Sequence, residues 1–195
     1  MILNNYLFIF EAIAVFLAVG YLLLAVKQDI RCWIAGIISS TIYLFLMFQA
    51  NLYMESMLQI FYILMGFYGW RQWNIKAEDD KSLLITTWTF KKHFLVVSSI
   101  LGFSLLFGMF LGTYTQAALP FLDSLTTFGA LVATYMVAKK ILENWIYWFF
   151  IDAISVMLFL NRELYLTALL FCIYLIIIFF GLRTWIKEYK SQEVT

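Results

Sequence analysis

The dominant pattern along the chain is a series of continuous apolar stretches separated by short polar clusters. About 20 apolar residues are needed for a helix to cross the hydrocarbon core of a bilayer, and seven stretches come close to that length. They lie near residues 5–26, 31–50, 53–74, 94–113, 117–138, 143–161 and 164–186. The pattern predicts an all-α integral membrane protein with seven transmembrane helices.

Basic residues are distributed unequally between the two sides of this seven-span arrangement. Twelve of the thirteen lysines and arginines fall on the side that holds the loop near Lys81 and the C-terminus, and Arg162 alone falls on the other side. Cytoplasmic loops retain positive charge, so the N-terminus is predicted outside and the C-terminus inside. The expected location is a membrane that the chain crosses in multiple passes, with its C-terminus in the cytoplasm.

Composition and motifs exclude several classes of protein. Hydrophobic residues make up 64% of the chain and charged residues 13%, whereas soluble domains contain about 25% charged residues. A net charge of +1 without a basic stripe argues against nucleic acid as a partner. Cys32 and Cys172 lie inside apolar stretches and are interpreted as packing residues rather than as a disulfide or zinc site.

Catalytic motifs are missing as well. HExxH, GxSxG and GxxxxGK[ST] do not occur, and the single histidine, His93, follows two lysines and is predicted to lie on the cytoplasmic surface. The sequence therefore indicates neither an enzyme nor a cofactor, and no metal site.

The chain contains an internal repeat. A shift of 112 residues without gaps superposes the third stretch on the seventh, and the matched pairs are Trp33 with Trp145, Tyr62 with Tyr174, Gly69 with Gly181, Arg71 with Arg183 and Trp73 with Trp185. The same shift carries Glu11 onto Asp123 and so extends the repeat to the first and fifth stretches. Equivalent stretches are four apart in order, so both halves cross the membrane in the same direction.

This parallel repeat predicts a 3+1+3 arrangement. Residues 1–75 form the first three-helix repeat, residues 76–116 a cytoplasmic loop and linker helix, and residues 117–195 the second three-helix repeat with a cytoplasmic tail. Transporters built from such repeats bind their substrate near the midplane between the halves.

Asp152 is the sharpest functional candidate. It lies about nine residues into its apolar stretch, where an acid costs several kcal/mol. One interpretation is a counter-charge for a cation in a water-filled cavity, and the other is a helix-packing hydrogen bond from a partly protonated acid. Asn144 and Trp148 precede it at helical spacing, so amide, indole and carboxylate share one face. An indole is the best cation–π partner, which suits a flat cation.

The alternative for Trp148 is a residue of the interfacial aromatic belt, a role that suits Trp70, Trp73, Trp145 and Trp185 better because they lie near the ends of their stretches. Gly66, Gly69 and Gly181 are interpreted as sites of close helix packing.

Other polar residues extend the predicted substrate site to the first half. Gln59 and Tyr62 lie on the third stretch, and Gln59 would bond either a ligand hydroxyl or a neighbouring helix. Ser40 and Tyr43 occupy the positions that Asp152 and Ser155 hold in the second half. This inequality between the halves disfavours a channel, whose pore would need equivalent rings.

Acidic residues near the outer ends of the stretches are predicted to attract cations at the entrance. Glu11 and Asp123 are the candidates, together with Glu55, which could also be simply solvated.

Two segments resemble the PnuC family of nicotinamide riboside transporters: QIFYILMGFYGWRQW from Gln59 to Trp73 and ENWIYWFFIDAISV from Glu143 to Val156. The resemblance covers nearly the whole chain, including the closing segment GLRTWIK. It implies a location in the bacterial cytoplasmic (inner) membrane and a SWEET-like 3+1+3 arrangement surrounded by membrane lipid, often in a homotrimer. It also implies facilitated diffusion of a vitamin that a cytoplasmic vitamin kinase then traps by phosphorylation.

The resemblance places Asn144 and Trp148 in the ligand site, with Gln59 as a further partner. It does not decide which vitamin is carried, because relatives carry thiamine or riboflavin. Some nicotinamide riboside carriers of the family have Asn where this chain has Asp152. Nicotinamide riboside is the first choice and thiamine the alternative, since both are flat cations.

Overall fold

The computed structural model describes residues 2–49, 53–78, 83–114, 119–161 and 165–192. Seven α-helices lie in these ranges: α1 (Ile2–Val26), α2 (Arg31–Gln49), α3 (Tyr53–Glu78), α4 (Phe90–Tyr114), α5 (Pro120–Ala138), α6 (Asn144–Asn161) and α7 (Tyr165–Gln192). Each coincides with one predicted apolar stretch, so the all-helical prediction is confirmed. Pro120 is the first residue of α5, where a helix does not need the backbone N–H that proline lacks.

Five of these helices are long and apolar enough to cross a membrane, judged on the described residues. The apolar segments are Ile9–Val26, Phe90–Tyr114, Pro120–Ala138, Asn144–Asn161 and Thr167–Gln192. The apolar part of α2 is shorter, Arg31–Leu46, and α3 carries Gln59, Arg71 and Gln72 along its length. The protein is therefore a multi-pass membrane protein.

The chain divides into two compact units. Unit 1 is Met1–Leu84, in which α1 packs on α2 and α2 on α3. Unit 2 is Ile85–Thr195, in which α4 packs on α5, α5 on α6 and α6 on α7. Gly108 allows α4 to approach α5 closely, because a Cβ at that position would lie 2.9 Å from Cα of Phe121.

The turns that end α1 and α5 have the same geometry. Gln28 has a φ of 55°, and the N–H of Asp29 donates to the carbonyl oxygen of Leu24 at 3.0 Å. Lys140 has a φ of 50°, and the N–H of Ile141 donates to the carbonyl oxygen of Met136 at 2.9 Å. Both turns are Schellman-type helix ends. Because their positions differ by the 112 residues of the repeat, the α1–α2 and α5–α6 hairpins share one register.

Each unit contains a buried pair of tryptophans at matching positions. The rings of Trp33 and Trp73 meet edge to face at 5.4 Å and 84°, and those of Trp145 and Trp185 at 5.5 Å and 84°. All four side chains are at most 5% exposed. The predicted belt role of Trp73, Trp145 and Trp185 is therefore wrong, because these rings pack between helices rather than facing the membrane surface.

Glycine makes room for these rings. A Cβ on Gly69 would collide with the ring of Trp33, and one on Gly181 would lie 2.5 Å from the ring of Trp145. The packing role predicted for both glycines agrees with these contacts. Trp70, by contrast, is 42% exposed, as a belt residue would be.

Gly181→Ala is expected to lower the free energy of unfolding by about 1–3 kcal/mol, because the added methyl group must displace the buried Trp145 ring. Thermal unfolding of the detergent-purified protein measures the effect. Gly102→Ala is the matched control, since a Cβ there meets nothing within 4 Å and alanine favours the helix. Equal melting temperatures for the two variants would contradict the packing role.

Candidate functional site

Helix α6 has an apolar outer face and a polar buried face. Its exposed large apolar residues are Ile146, Phe149, Phe150, Met157 and Leu160. The buried residues include Asn144, Asp152 and Ser155. Trp148 is half-buried and lies one helical turn from both Asn144 and Asp152. The structure therefore keeps the amide, the indole and the carboxylate on the buried side of one helix.

The carboxylate of Asp152 is buried without a compensating group. The residue is 3% exposed. Within the described ranges, no hydrogen bond or ion pair reaches its side chain. A packing hydrogen bond, the alternative left open by the sequence, therefore finds no donor in that part of the chain. Burying an ionised carboxylate without a partner is costly, so this group is open to a ligand that carries positive charge.

Asn144 adds a second free acceptor to the same face. It is fully buried, and its Nδ2 donates to the carbonyl oxygen of Ile141 at 2.7 Å. Its Oδ1 is buried and has no hydrogen-bond partner in the described part of the chain. Ser155 differs, because its hydroxyl already donates to the carbonyl oxygen of Ile151 at 2.9 Å. Two buried acceptors on one face favour a ligand that is rich in hydrogen-bond donors or is cationic.

The surroundings of Trp148 differ from those of the matching position in unit 1, because the large and the small residue lie on opposite helices. In unit 1 a Cβ on Gly36 would lie 3.0 Å from the ring of Tyr21. The repeat matches Gly36 with Trp148 and Tyr21 with Ala133. Because the two hairpins share one register, Ala133 is expected to face Trp148. The aromatic ring thus comes from α1 in unit 1 and from α6 in unit 2.

Unit 1 contains the other predicted substrate residues. Ser40 is buried, and Tyr43, Gln59 and Tyr62 are half-buried. Tyr62 lies near Tyr21. The sequence interpretation did not single out Tyr21. The repeat contains a signal for it, because the pair Tyr21 and Gly36 in unit 1 corresponds to the pair Ala133 and Trp148 in unit 2.

The predicted entrance carboxylates lie in different units. Glu11 is exposed on α1 and lies near Tyr43 of α2. Asp123 is half-buried in the first turn of α5. The side chain of Glu55 lies outside the described residues. A ring of carboxylates at the entrance stays a prediction.

The part of the chain that the structure describes contains no group of three or more His, Cys, Asp and Glu side chains that could hold a metal ion. Neither Cys32 nor Cys172 takes part in a disulfide bond within the described residues.

Known transporters match this chain over most of its length. The nicotinamide riboside transporter PnuC of Escherichia coli (strain K12) is 25% identical over 194 residues, which covers 87% of this chain and 81% of the relative. The PnuC of Neisseria mucosa is 26% identical over 183 residues, with coverage of 86% and 68%. The riboflavin/roseoflavin transporter RibM of Streptomyces davaonensis is 25% identical over 168 residues, with coverage of 84% and 78%.

The fold also matches a solved structure. The crystal structure of the vitamin B3 transporter PnuC covers 93% of this chain and 82% of its own, with a TM-score of 0.75 and 22% identity. The family model described as nicotinamide mononucleotide transporter matches residues 8–187. The resemblance to PnuC read from the sequence is thereby confirmed, and the relatives named above are transporters rather than enzymes. Since the match spans far more than half of the chain, the protein belongs to the nicotinamide mononucleotide transporter family of PnuC-type membrane proteins.

Proposed function

We propose that this protein carries nicotinamide riboside across the bacterial cytoplasmic membrane by facilitated diffusion and that α6 binds the vitamin. The observation that carries the proposal is the Asp152 carboxylate, 3% exposed and without a partner in the described ranges. Nicotinamide riboside contains a pyridinium ring, whose positive charge would favour the ionised form of this buried carboxyl group.

The neighbours of Asp152 suit the rest of such a ligand. The ring of Trp148 offers a flat face for stacking and a cation–π contact. The free Oδ1 of Asn144 would accept a hydrogen bond from the carboxamide or from a ribose hydroxyl. The substrate roles of Ser40, Tyr43, Gln59 and Tyr62, and the entrance role of Glu11 and Asp123, stay predictions.

Thiamine is the second candidate substrate. Thiamine is also a flat cation, and its thiazolium charge would suit the Asp152 carboxylate equally well. Riboflavin is the substrate in the name of one relative, but it is uncharged and would leave the buried carboxylate uncompensated. The charge of Asp152 therefore favours either cationic vitamin over riboflavin.

Liposomes that contain the purified protein test the substrate. We expect saturable uptake of labelled nicotinamide riboside that stops at equal concentrations on both sides, with empty liposomes as the control. Faster uptake of thiamine than of nicotinamide riboside would identify the protein as a thiamine transporter. Transport of riboflavin alone would contradict a cation-binding site. Accumulation driven by an imposed proton or sodium gradient would overturn facilitated diffusion.

The matched turns and tryptophan pairs of the two units support a seven-span, SWEET-like 3+1+3 arrangement with α4 as the linker, and we include it in the proposal. The exposed side chains of α4 are strongly apolar, among them Phe94, Leu101, Phe103 and Phe110. Such a surface suits lipid or a neighbouring subunit. We include the homotrimer that the family resemblance implies, and native mass spectrometry of the protein released from mild detergent tests it by measuring the mass of the assembly.

The proposed orientation predicts a cytoplasmic C-terminus, because the basic residues are concentrated on that side. A reporter protein that is active only in the cytoplasm is expected to be active when fused after Thr195, and a reporter that is active only in the periplasm is expected to be inactive there. Arg162, the one basic residue predicted on the other side, lies outside the described residues. A fusion after Asn161 should therefore report the periplasmic side. A periplasmic C-terminus would contradict the seven-span arrangement.

Trapping by phosphorylation completes the proposal. Facilitated diffusion alone ends at equilibrium, so accumulation in cells requires a cytoplasmic vitamin kinase that converts the vitamin into a charged phosphate ester. Cells that lack this kinase should take up labelled vitamin only to the external concentration.

A further inference from the structure

A cluster of side chains at the start of α6 has no part in the function proposed above. His93 lies in the first turn of α4, and its Nδ1 is 3.0 Å from the hydroxyl oxygen of Tyr147. Its Nε2 is 3.7 Å from Oε1 of Glu143, whose Oε2 accepts a hydrogen bond from the backbone N–H of Trp88 at 3.3 Å. The predicted surface position of His93 therefore holds only in part, because its side chain is 21% exposed and lies between α4 and α6.

The segment before α4 is joined to the same place. The N–H of Thr86 donates to the carbonyl oxygen of Lys140 at 3.0 Å, and the N–H of Leu142 donates back to the carbonyl oxygen of Thr86 at 2.8 Å. Ile85 and Ile141 beside these bonds are 2% and 3% exposed. The start of α4 and the α5–α6 turn thus form one hydrogen-bonded assembly.

Unit 1 does not repeat this arrangement. The counterparts of Glu143 and Tyr147 are Arg31 and Ala35. Arg31 instead forms an ion pair with Asp29, and its hydrogen bonds lower the pKa of the Asp29 carboxyl to about 2. The His93 cluster is therefore specific to the unit that carries Asp152.

The cluster adjoins the proposed ligand face directly. Glu143 precedes Asn144, and Tyr147 precedes Trp148, so the two side chains that His93 meets are the chain neighbours of two ligand candidates. An imidazole that carries its proton on Nε2 can accept from the Tyr147 hydroxyl at Nδ1 while its N–H faces the Glu143 carboxylate.

We propose that His93 is a positioning residue for the substrate: by bridging Tyr147 and Glu143 it holds the first turn of α6 against α4 and so fixes the direction of Asn144 and Trp148. The identity of the substrate rests on the function proposed above, whereas the bridge itself does not. The 3.0 Å contact with Tyr147 is the stronger of the two, because the 3.7 Å separation from Glu143 is too long for a hydrogen bond.

Three substitutions at position 93 separate the two contacts. Asn places an amide near the position of Nδ1 and can still meet Tyr147, whereas Gln places its amide near the position of Nε2 and Ala removes both. We expect His93→Ala and His93→Gln to raise the KM for nicotinamide riboside about 3- to 10-fold with Vmax changed less than about twofold. His93→Asn should restore most of the affinity. A merely structural role would lower Vmax and the yield of folded protein for all three variants alike.

Tyr147→Phe removes the partner hydroxyl and should raise KM as His93→Ala does. In the double variant the two losses should not add, because both remove one contact. Additive losses would overturn the bridge.

Hydrogen exchange of residues 143–150 in lipid nanodiscs, without vitamin, tests the bridge independently of transport. His93→Ala should speed exchange there and His93→Asn should not. The control Phe94→Ala, at a neighbouring side chain that is 69% exposed, should leave exchange unchanged. Faster exchange in a protein that transports no nicotinamide riboside would support the bridge and reject the proposed substrate. Unchanged exchange and KM in a protein that transports it would overturn the bridge and leave the function intact.

Discussion

Asp152→Asn is expected to lower the affinity for nicotinamide riboside about 10- to 100-fold without reducing the amount of folded protein. The substitution keeps the size of the side chain and removes its charge. Two opposite charges 4 Å apart attract by about 4 kcal/mol at the effective dielectric constant of partly buried sites, and desolvation of both groups offsets part of this. Because each 1.4 kcal/mol is a factor of ten, the surviving part corresponds to the stated loss. Calorimetric titration of the purified protein measures it.

An uncharged ligand of the same shape is the control for this prediction. The reduced form of nicotinamide riboside has a neutral dihydropyridine ring and the same ribose. Asp152→Asn should change its binding little, whereas equal weakening of both ligands would make Asp152 a packing group. Ser155→Ala is the matched control variant, since it alters a buried polar group on the same face whose hydroxyl, within the described residues, bonds the Ile151 carbonyl oxygen alone.

Trp148→Ala is expected to weaken binding of the same vitamin by roughly 1–2 kcal/mol, about 5- to 30-fold, the range for a desolvated cation–π contact. Trp148→Phe should retain part of the affinity because a smaller ring face remains. Phe149→Ala is the control, since that side chain is 47% exposed on the apolar outer face of α6. A loss of equal size in the control would show that the effect comes from the helix rather than from the ring.

Trp148 and Asp152 should also depend on each other. They are one turn apart on one face and are expected to hold the same cation, so the loss in the double variant should differ from the sum of the single losses. Calorimetry on the three variants measures this coupling. Strictly additive losses would mean that the two residues do not share a ligand.

The seven helices and their approximate ends could be predicted from the sequence because a membrane span must be long and apolar. The 112-residue repeat was also readable, and the structure places its matching tryptophan pairs at 5.4 and 5.5 Å. The alignment of Asn144, Trp148 and Asp152 follows from helical periodicity alone, since residues four apart share a face whatever packs against it.

Packing partners could not be predicted in this way. Periodicity shows which residues share a face but not which faces meet, so it predicts belt positions for Trp73, Trp145 and Trp185, which the structure buries. The contact of His93 with Tyr147 joins residues 54 positions apart, a separation that no local pattern reports.

For Asp152, too, the sequence determines one property and the tertiary structure decides another. Its depth in an apolar stretch was determined by the sequence, because position along a helix sets depth in the bilayer. Whether a neighbouring helix supplies a hydrogen bond to the carboxylate was decided only by the tertiary structure, in which none reaches it from the described residues. The reason is physical: a buried charge is compensated by groups close in space, and closeness between helices is set by how their side chains pack.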